Sequence, residues 1–158
     1  MQTLVLDNGA HTIKAGLVPF SEEQVLTPRP RIIPNCLARD RQKKIFIGSE
    51  LAQCCDCGEI QFRRPVEKGC IVNWEAQKQI WDREFFDDDA VQRCNPADSR
   101  LILAEAPNVL PALQTNCDQI VFEEYRFASY YRGIGSSNLS SLSCIDRCLS
   151  LTPCRANV

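Results

Sequence analysis

Residues 4–17, with the sequence LVLDNGAHTIKAGL, constrain the fold more than any other stretch, because they predict two antiparallel strands and the turn between them. Leu4–Leu6 is a short apolar run, Asn8-Gly9 is the strongest two-residue hairpin signal, and Thr12–Leu17 supplies the returning strand. A sheet is therefore expected to begin within the first residues, with Asp7 at the end of its first strand.

Three residues of this hairpin are of the types that bind phosphate. Asp7 precedes the turn, Gly9 allows backbone N–H groups to approach a ligand closely, and Lys14 returns across the hairpin. Together they suggest a cradle for a phosphate and a metal ion. A surface hairpin without a ligand is the alternative, because Asn-Gly turns are common, and the hairpin by itself leaves both interpretations open.

Strand-like and helix-like segments alternate along the rest of the sequence. The predicted strands are Gln24–Thr27, Arg31–Asn35, Ile45–Gly48, Arg100–Ala104 and Arg126–Tyr131, and the predicted helical segments are Ser49–Gln53, Glu75–Phe86 and Pro111–Tyr125. Arg100–Ala104 is a continuous apolar strand, which is typical of burial on both faces. A hairpin followed by alternating strands and helices predicts an α/β domain with a mixed sheet, similar in element order to a ribonuclease-H-like core.

The predicted helix Glu75–Phe86 carries a stripe of aromatic residues. Trp74, Trp81 and Phe85 can share one face, and Asn73 is a suitable N-cap just before them. Such a stripe is more typical of core packing than of a cofactor site.

The charge pattern argues against a general affinity for nucleic acid. The net charge is −2, and the basic residues of the segment Leu37–Lys44 have no aromatic residues between them, which favours a solvated loop. Direct nucleic-acid binding is therefore not indicated. The N-terminus lacks a signal-peptide pattern, and no apolar run approaches the roughly 20 residues needed to cross a bilayer, so we expect an intracellular protein without a membrane partner.

Ten cysteines raise the question of a zinc site, but their spacing does not support one. Cys54–Cys57 has no second pair and the sole histidine is His11, so the ligand spacing of a zinc finger is absent. The acidic run Asp87–Asp89 is better explained as a solvated surface. We therefore expect no directly bound metal. Four isolated cysteines are predicted to be small buried or half-buried residues: Cys36, Cys70, Cys94 and Cys117.

Four separated segments resemble actin and its relatives in the right order and spacing. They are Asp7–Gly9 with Lys14–Gly16, Glu67–Trp74, Leu103–Pro107 and Gln119–Tyr125. The resemblance covers about residues 1–132, and within the superfamily it is strongest to the chromatin-associated actin-related proteins.

The resemblance implies a fold in which two lobes, each with a ribonuclease-H-like core, close over ATP and a divalent cation. This chain resembles only the first lobe, incomplete, with a small inserted subdomain at about residues 35–69. The hairpin then corresponds to the first phosphate-binding loop, with Asp7, Asn8, Gly9 and Lys14 as the candidate residues. In that loop Asp7 would approach the cation through water, the backbone around Gly9 would face the phosphates, and Lys14 would contact them.

Two departures from the family pattern bear on nucleotide binding. Ala10 and His11 stand where conventional actin has a serine and a second glycine. Residues 133–158 form a Ser/Cys-rich segment, expected to be flexible, in place of the second Asp-Ser-Gly phosphate loop. Truncation, alternative splicing and an imperfect gene model would each account for this tail. We expect no cofactor for this chain alone, and ATP with Mg²⁺ in a full-length relative.

The resemblance further implies a non-catalytic role. Chromatin-associated actin-related proteins are subunits of Swr-type remodelling complexes, which exchange a variant histone into nucleosomes. The expected partners are other protein subunits and histones, and the expected location is the nucleus, with the cytoplasm second. The alternative is an ATP-binding actin-like protein of the cytoskeleton.

Overall fold

A five-stranded mixed sheet forms the centre of the protein, in a computed structural model that describes residues 2–19, 30–54, 60–90 and 92–134. The strands are β1 (Gln2–Asn8), β2 (Thr12–Pro19), β3 (Arg31–Pro34), β4 (Leu37–Arg39), β5 (Ile45–Ile47), β6 (Gln61–Arg63), β7 (Val66–Glu67), β8 (Cys70–Ile71), β9 (Ser99–Glu105) and β10 (Ser129–Ile134). The helices are α1 (Trp74–Trp81) and α2 (Pro111–Gln119), continued by π-helical turns at Asp82–Phe86 and Ile120–Glu124, with 3₁₀ helices at Gly48–Gln53 and Pro96–Asp98.

The order of strands in the large sheet is β10-β9-β1-β2-β3. β1 pairs antiparallel with β2 and parallel with β9, and β9 pairs parallel with β10. The prediction of an α/β domain with a mixed sheet is confirmed. The strand predicted at Gln24–Thr27 and the tail from residue 135 onward lie outside the described residues.

The turn between β1 and β2 differs from the predicted two-residue Asn-Gly turn. Asn8 pairs with Ile13 and belongs to β1, so the three residues 9–11 connect the two strands. Gly9 is not among the described glycines with positive φ, whereas a type I′ turn requires positive φ at both central residues. The buried side chain of Asn8 makes tertiary hydrogen bonds, which override its local turn preference.

The core lies on one face of the large sheet. Alternation along the strands places Leu4 and Leu6 of β1 beside Leu101 and Leu103 of β9, and the helices pack against this face. Ile102, which points to the other face, is only half-buried. The prediction that this strand is buried on both faces is therefore wrong, because the described helices contribute to one core rather than two.

α1 behaves as its sequence predicts. Asn73 caps it by accepting a hydrogen bond from the Ala76 N–H at 3.1 Å, and Trp81 and Phe85 are fully buried. Trp81 also packs against Tyr125, with ring centroids 5.8 Å apart. The aromatic stripe is therefore core packing. No helix in the described ranges combines the length and apolar character needed to span a bilayer.

A second, three-stranded sheet with the order β5-β4-β6 is inserted between β3 and β7. It falls within the predicted subdomain of residues 35–69. The turn between β4 and β5 exposes Arg41, Lys43 and Lys44, as expected of a solvated loop. The acidic run at Asp87–Asp89 is exposed as well, and within the described ranges no group of three or more His, Cys, Asp or Glu side chains could hold a metal ion.

The described cysteines are buried or half-buried thiols, as predicted for the four isolated ones. Cys36, Cys94 and Cys117 are buried, and Cys54 and Cys70 are half-buried. Burial raises the pKa of the Cys117 thiol to about 11, so this side chain stays protonated at neutral pH.

Alkylation of the native protein should follow this division. At pH 7.5, iodoacetamide is expected to modify Cys54 and Cys70 at least about tenfold faster than Cys117. Alkylation requires a solvent-accessible thiolate, and Cys117 is buried with a pKa of about 11. Peptide mapping by mass spectrometry over time measures each rate. Equal alkylation rates for the three cysteines in the folded protein would contradict the packing of Cys117 against Tyr130.

Candidate functional site

Asp7 and Lys14 face each other across the hairpin at the carboxyl end of β1. They are direct partners in the strand register, and Lys14 Nζ lies 2.8 Å from Asp7 Oδ2. Their side chains are 52% and 54% exposed, so both charges remain open to water. The structure thus brings together two of the predicted site residues, and each is the other's counter-ion.

Asn8 lies on the opposite face of the strand from Asp7. Its amide is buried, where Asn8 Nδ2 donates to Gln77 Oε1 at 2.9 Å and Trp81 Nε1 donates to Asn8 Oδ1 at 3.2 Å. Both polar atoms of the side chain are therefore used within the protein. Asn8 anchors the hairpin to α1 and supports the loop from below.

A pair of buried amides extends this anchor to β3. Asn35 Nδ2 donates to the Gly9 carbonyl at 2.8 Å, and Gln77 Nε2 donates to Asn35 Oδ1 at 3.2 Å. The Asn35 N–H also donates to the His11 carbonyl at 2.9 Å. Asn8, Asn35, Gln77 and Trp81 form the amide network that fixes the loop between β1 and β2.

The loop itself offers a limited set of groups to a phosphate. The Gly9 N–H donates to the Asp7 carbonyl at 3.1 Å, so it is already engaged. A Cβ on Gly9 would lie 2.8 Å from the Thr12 carbonyl oxygen, so the loop's own packing requires glycine. Within the described ranges, the N–H groups of Ala10 and His11 have no protein acceptor.

These groups fit one side of a phosphate site. Two loop N–H groups and the Lys14 ammonium could contact phosphate oxygens, and Asp7 could hold a hydrated cation, once the ion pair between them opens. Arg64 Nη1 lies 3.4 Å from the Ala10 carbonyl and adds positive charge beside the loop.

Asn35 and Gln77 support the loop, and the sequence alone does not single them out. Asn35 falls at the end of the predicted strand Arg31–Asn35. Gln77 occupies the same helical stripe as Ile80 and Trp81, at spacings of three and four. A glutamine on an otherwise apolar stripe is the signal that could have identified it, because buried polar side chains need partners.

Glu84 is a second buried polar residue on this stripe, and it joins β3 of the large sheet to the 3₁₀ helix that follows β5. Glu84 Oε2 lies 3.1 Å from Arg31 Nη2, and Glu84 Oε1 accepts a hydrogen bond from the Ser49 N–H at 2.6 Å. Gly48 has φ of +52°, and a Cβ there would lie 2.5 Å from Glu84 Oε1. The 3₁₀ helix Gly48–Gln53 is thereby held against the end of α1.

A small cavity of about 20 Å³ lies beneath the site, lined by residues that include Asn8, Trp74 and Glu105. The buried Trp74 Nε1 has no hydrogen-bond partner in the part of the chain that the structure describes. Burial raises the pKa of Glu105, against the opposing effect of the nearby Arg132 guanidinium. The cavity has room for one water molecule that could accept from Trp74.

A mixed sheet with an aspartate-bearing hairpin at its carboxyl edge and a small inserted sheet is the architecture of an actin-type domain. The sequence profile of the actin family matches residues 1–143, and the chain belongs to the actin family.

The most similar relatives include actin-related proteins of fungi. Actin-related protein 6 of Neurospora crassa is 71% identical over 133 residues, which cover 84% of this chain and 29% of that protein. Actin-like protein arp6 of Aspergillus fumigatus is 48% identical over 144 residues, covering 85% of this chain and 31% of that protein. Actin-like protein ARP6 of Yarrowia lipolytica is 38% identical over 149 residues, which cover 92% of this chain and 35% of that protein. The chain thus spans about a third or less of the length of these relatives.

Proposed function

We propose that this chain acts as a non-catalytic actin-related subunit, or its first lobe, in a nuclear Swr-type chromatin remodelling complex that exchanges a variant histone. The observation that carries the proposal is the 71% identity to actin-related protein 6 of Neurospora crassa over 133 residues. Nothing in the comparisons favours the cytoskeletal alternative. The proposed partners are other subunits of the complex and histones.

The geometry of the hairpin supports a structural role. The Asp7–Lys14 ion pair and the amide network hold the loop in place from within the chain, and these contacts support a loop conformation that does not depend on a nucleotide. The described loop residues could contact a phosphate from one side only. ATP hydrolysis would require groups on the other side to position water and stabilise the developing charge.

Nucleotide binding can be tested by thermal denaturation of the purified full chain. With 5 mM Mg-ATP we expect no change in Tm beyond about 1 °C, because a ligand whose Kd exceeds its concentration adds little to the free energy of unfolding. Lys14→Ala and Asp7→Ala should behave the same way. A rise of several degrees that disappears in Asp7→Ala would contradict the expectation that this chain alone binds no cofactor, and would identify the hairpin as a nucleotide-binding site.

Subunit association can be tested by affinity purification of the tagged full chain from nuclear extract, followed by quantitative mass spectrometry. The expected result is co-enrichment of several subunits of one remodelling complex in constant proportion. Recovery in a high-speed pellet that depends on ATP, without such subunits, would overturn the proposal in favour of a filament-forming actin.

A further inference from the structure

The small sheet carries a groove that the hairpin site does not use. Strand pairing sets Leu37 opposite Ile47 and Arg63, and Arg39 opposite Ile45 and Gln61, so these side chains share one face. A groove of about 340 Å³ lies on this face, lined by Leu37, Arg39, Ile45, Gln61, Arg63 and Gln79. We call it the small-sheet groove.

The apolar part of the groove is open to solvent. Leu37 forms a buried floor, and Ile45 is 52% exposed beside it. An open apolar groove of this kind is characteristic of a surface that binds another molecule.

The walls of the groove are cationic. Arg39 has no carboxylate partner in the described part of the chain, and Arg63 pairs only with the exposed Glu75 at 3.1 Å. The groove therefore combines an apolar floor with a positive rim.

The arrangement is held in place before any ligand arrives. The Lys44 N–H donates to Asp40 Oδ1 at 2.9 Å, which closes the turn between β4 and β5. Glu84 ties the following 3₁₀ helix to α1 through Ser49. A preformed groove loses less conformational entropy on binding than a flexible one.

We propose that the small-sheet groove binds an acidic segment of a partner protein that carries a large apolar side chain. The apolar side chain contacts Leu37 and Ile45, and flanking carboxylates pair with Arg39 and Arg63. A nucleic-acid strand would satisfy the cations but leave the apolar floor unfilled, so a protein segment fits better. The proposal stands whether or not the partner belongs to a remodelling complex.

Fluorescence anisotropy with defined probes tests this proposal on the full chain. The probe is a labelled peptide, Glu-Asp-Glu-Leu-Phe-Glu-Asp-Glu, and the comparison probes are the same peptide with Ser-Ser for Leu-Phe and a single-stranded oligonucleotide. We expect the Leu-Phe peptide to bind at least about fivefold more tightly than the Ser-Ser peptide, because only the former fills the floor. Equal binding of the two peptides, tighter binding of the oligonucleotide, or no binding would each overturn the proposal.

Variants of this chain locate the binding surface. Arg39→Glu is expected to weaken binding of the Leu-Phe peptide about tenfold, and Ile45→Ser about fivefold. The effect of Arg39→Glu should become smaller in high salt, because salt screens the charge interaction. Arg93→Glu is the matched control, because Arg93 is an exposed arginine outside the groove that pairs with Asp88. It should bind within about twofold of the unchanged chain. Equal losses in Arg93→Glu and Arg39→Glu, with unchanged melting curves, would place the binding elsewhere.

Discussion

Replacing Gln77 by methionine is expected to lower the free energy of unfolding by about 2–4 kcal/mol, although the side-chain volume hardly changes. The variant leaves two buried atoms without partners, Asn8 Nδ2 and Asn35 Oδ1. Each orphaned buried group costs about 1–3 kcal/mol. Urea unfolding followed by circular dichroism measures the change.

Gln79→Met is the matched control for this prediction. Gln79 lies on the same helix but is exposed, so the same substitution there should change stability by less than about 0.5 kcal/mol. Hydrogen exchange adds a local readout, since Gln77→Met should accelerate exchange of the hydrogen-bonded Gly9 and Asn35 N–H groups more than exchange in the strands. If both glutamine variants were equally stable, the amide network would not be what holds the loop.

Replacing Glu84 by alanine is expected to cost about 3 kcal/mol, since it removes the carboxylate from a buried ion pair. Glu84 is 2% exposed and serves both Arg31 and the Ser49 N–H, so its loss leaves the Arg31 guanidinium without this carboxylate partner. We expect the small sheet to loosen first. Limited proteolysis within residues 40–54 should become faster than in the unchanged chain.

Glu75→Ala provides the comparison for Glu84→Ala. Glu75 is on the same helix and also pairs with an arginine, but its side chain is 71% exposed. Exposed ion pairs contribute about 0–1 kcal/mol, so this variant should unfold and be cleaved almost as the unchanged chain does. A loss as large as that of Glu84→Ala would show that burial does not separate the two pairs.

Elements with strong local signals could be predicted from the sequence. The N-cap at Asn73 and the aromatic stripe through Trp81 identify α1, and the apolar runs around Leu4 and Leu101 identify two central strands. These signals depend on neighbours a few positions away. They can therefore be recognised without knowledge of the tertiary structure.

The support beneath the candidate site could not be predicted in the same way. The partners of Asn8 are 69 and 73 positions away, and nothing in Asn8-Gly9 distinguishes a turn from a buried anchor. Gln77 and Glu84 are also ordinary helix-forming residues when they are considered singly. Their roles follow from the packing of α1 against the sheet, which sequence periodicity indicates but does not specify.

The parallel pairing of β1 with β9 has a consequence for folding during synthesis. Gln2 pairs with Ser99, so the first strand leaves the ribosome long before its parallel neighbour exists. At about 5–20 residues per second, this delay is on the order of 5–20 s, whereas a hairpin closes in microseconds. Once β3 is made, β1, β2 and β3 therefore wait as a nascent antiparallel sheet in which β1 is an unpaired edge strand. Until β9 is made, that edge is open to pairing with a wrong strand.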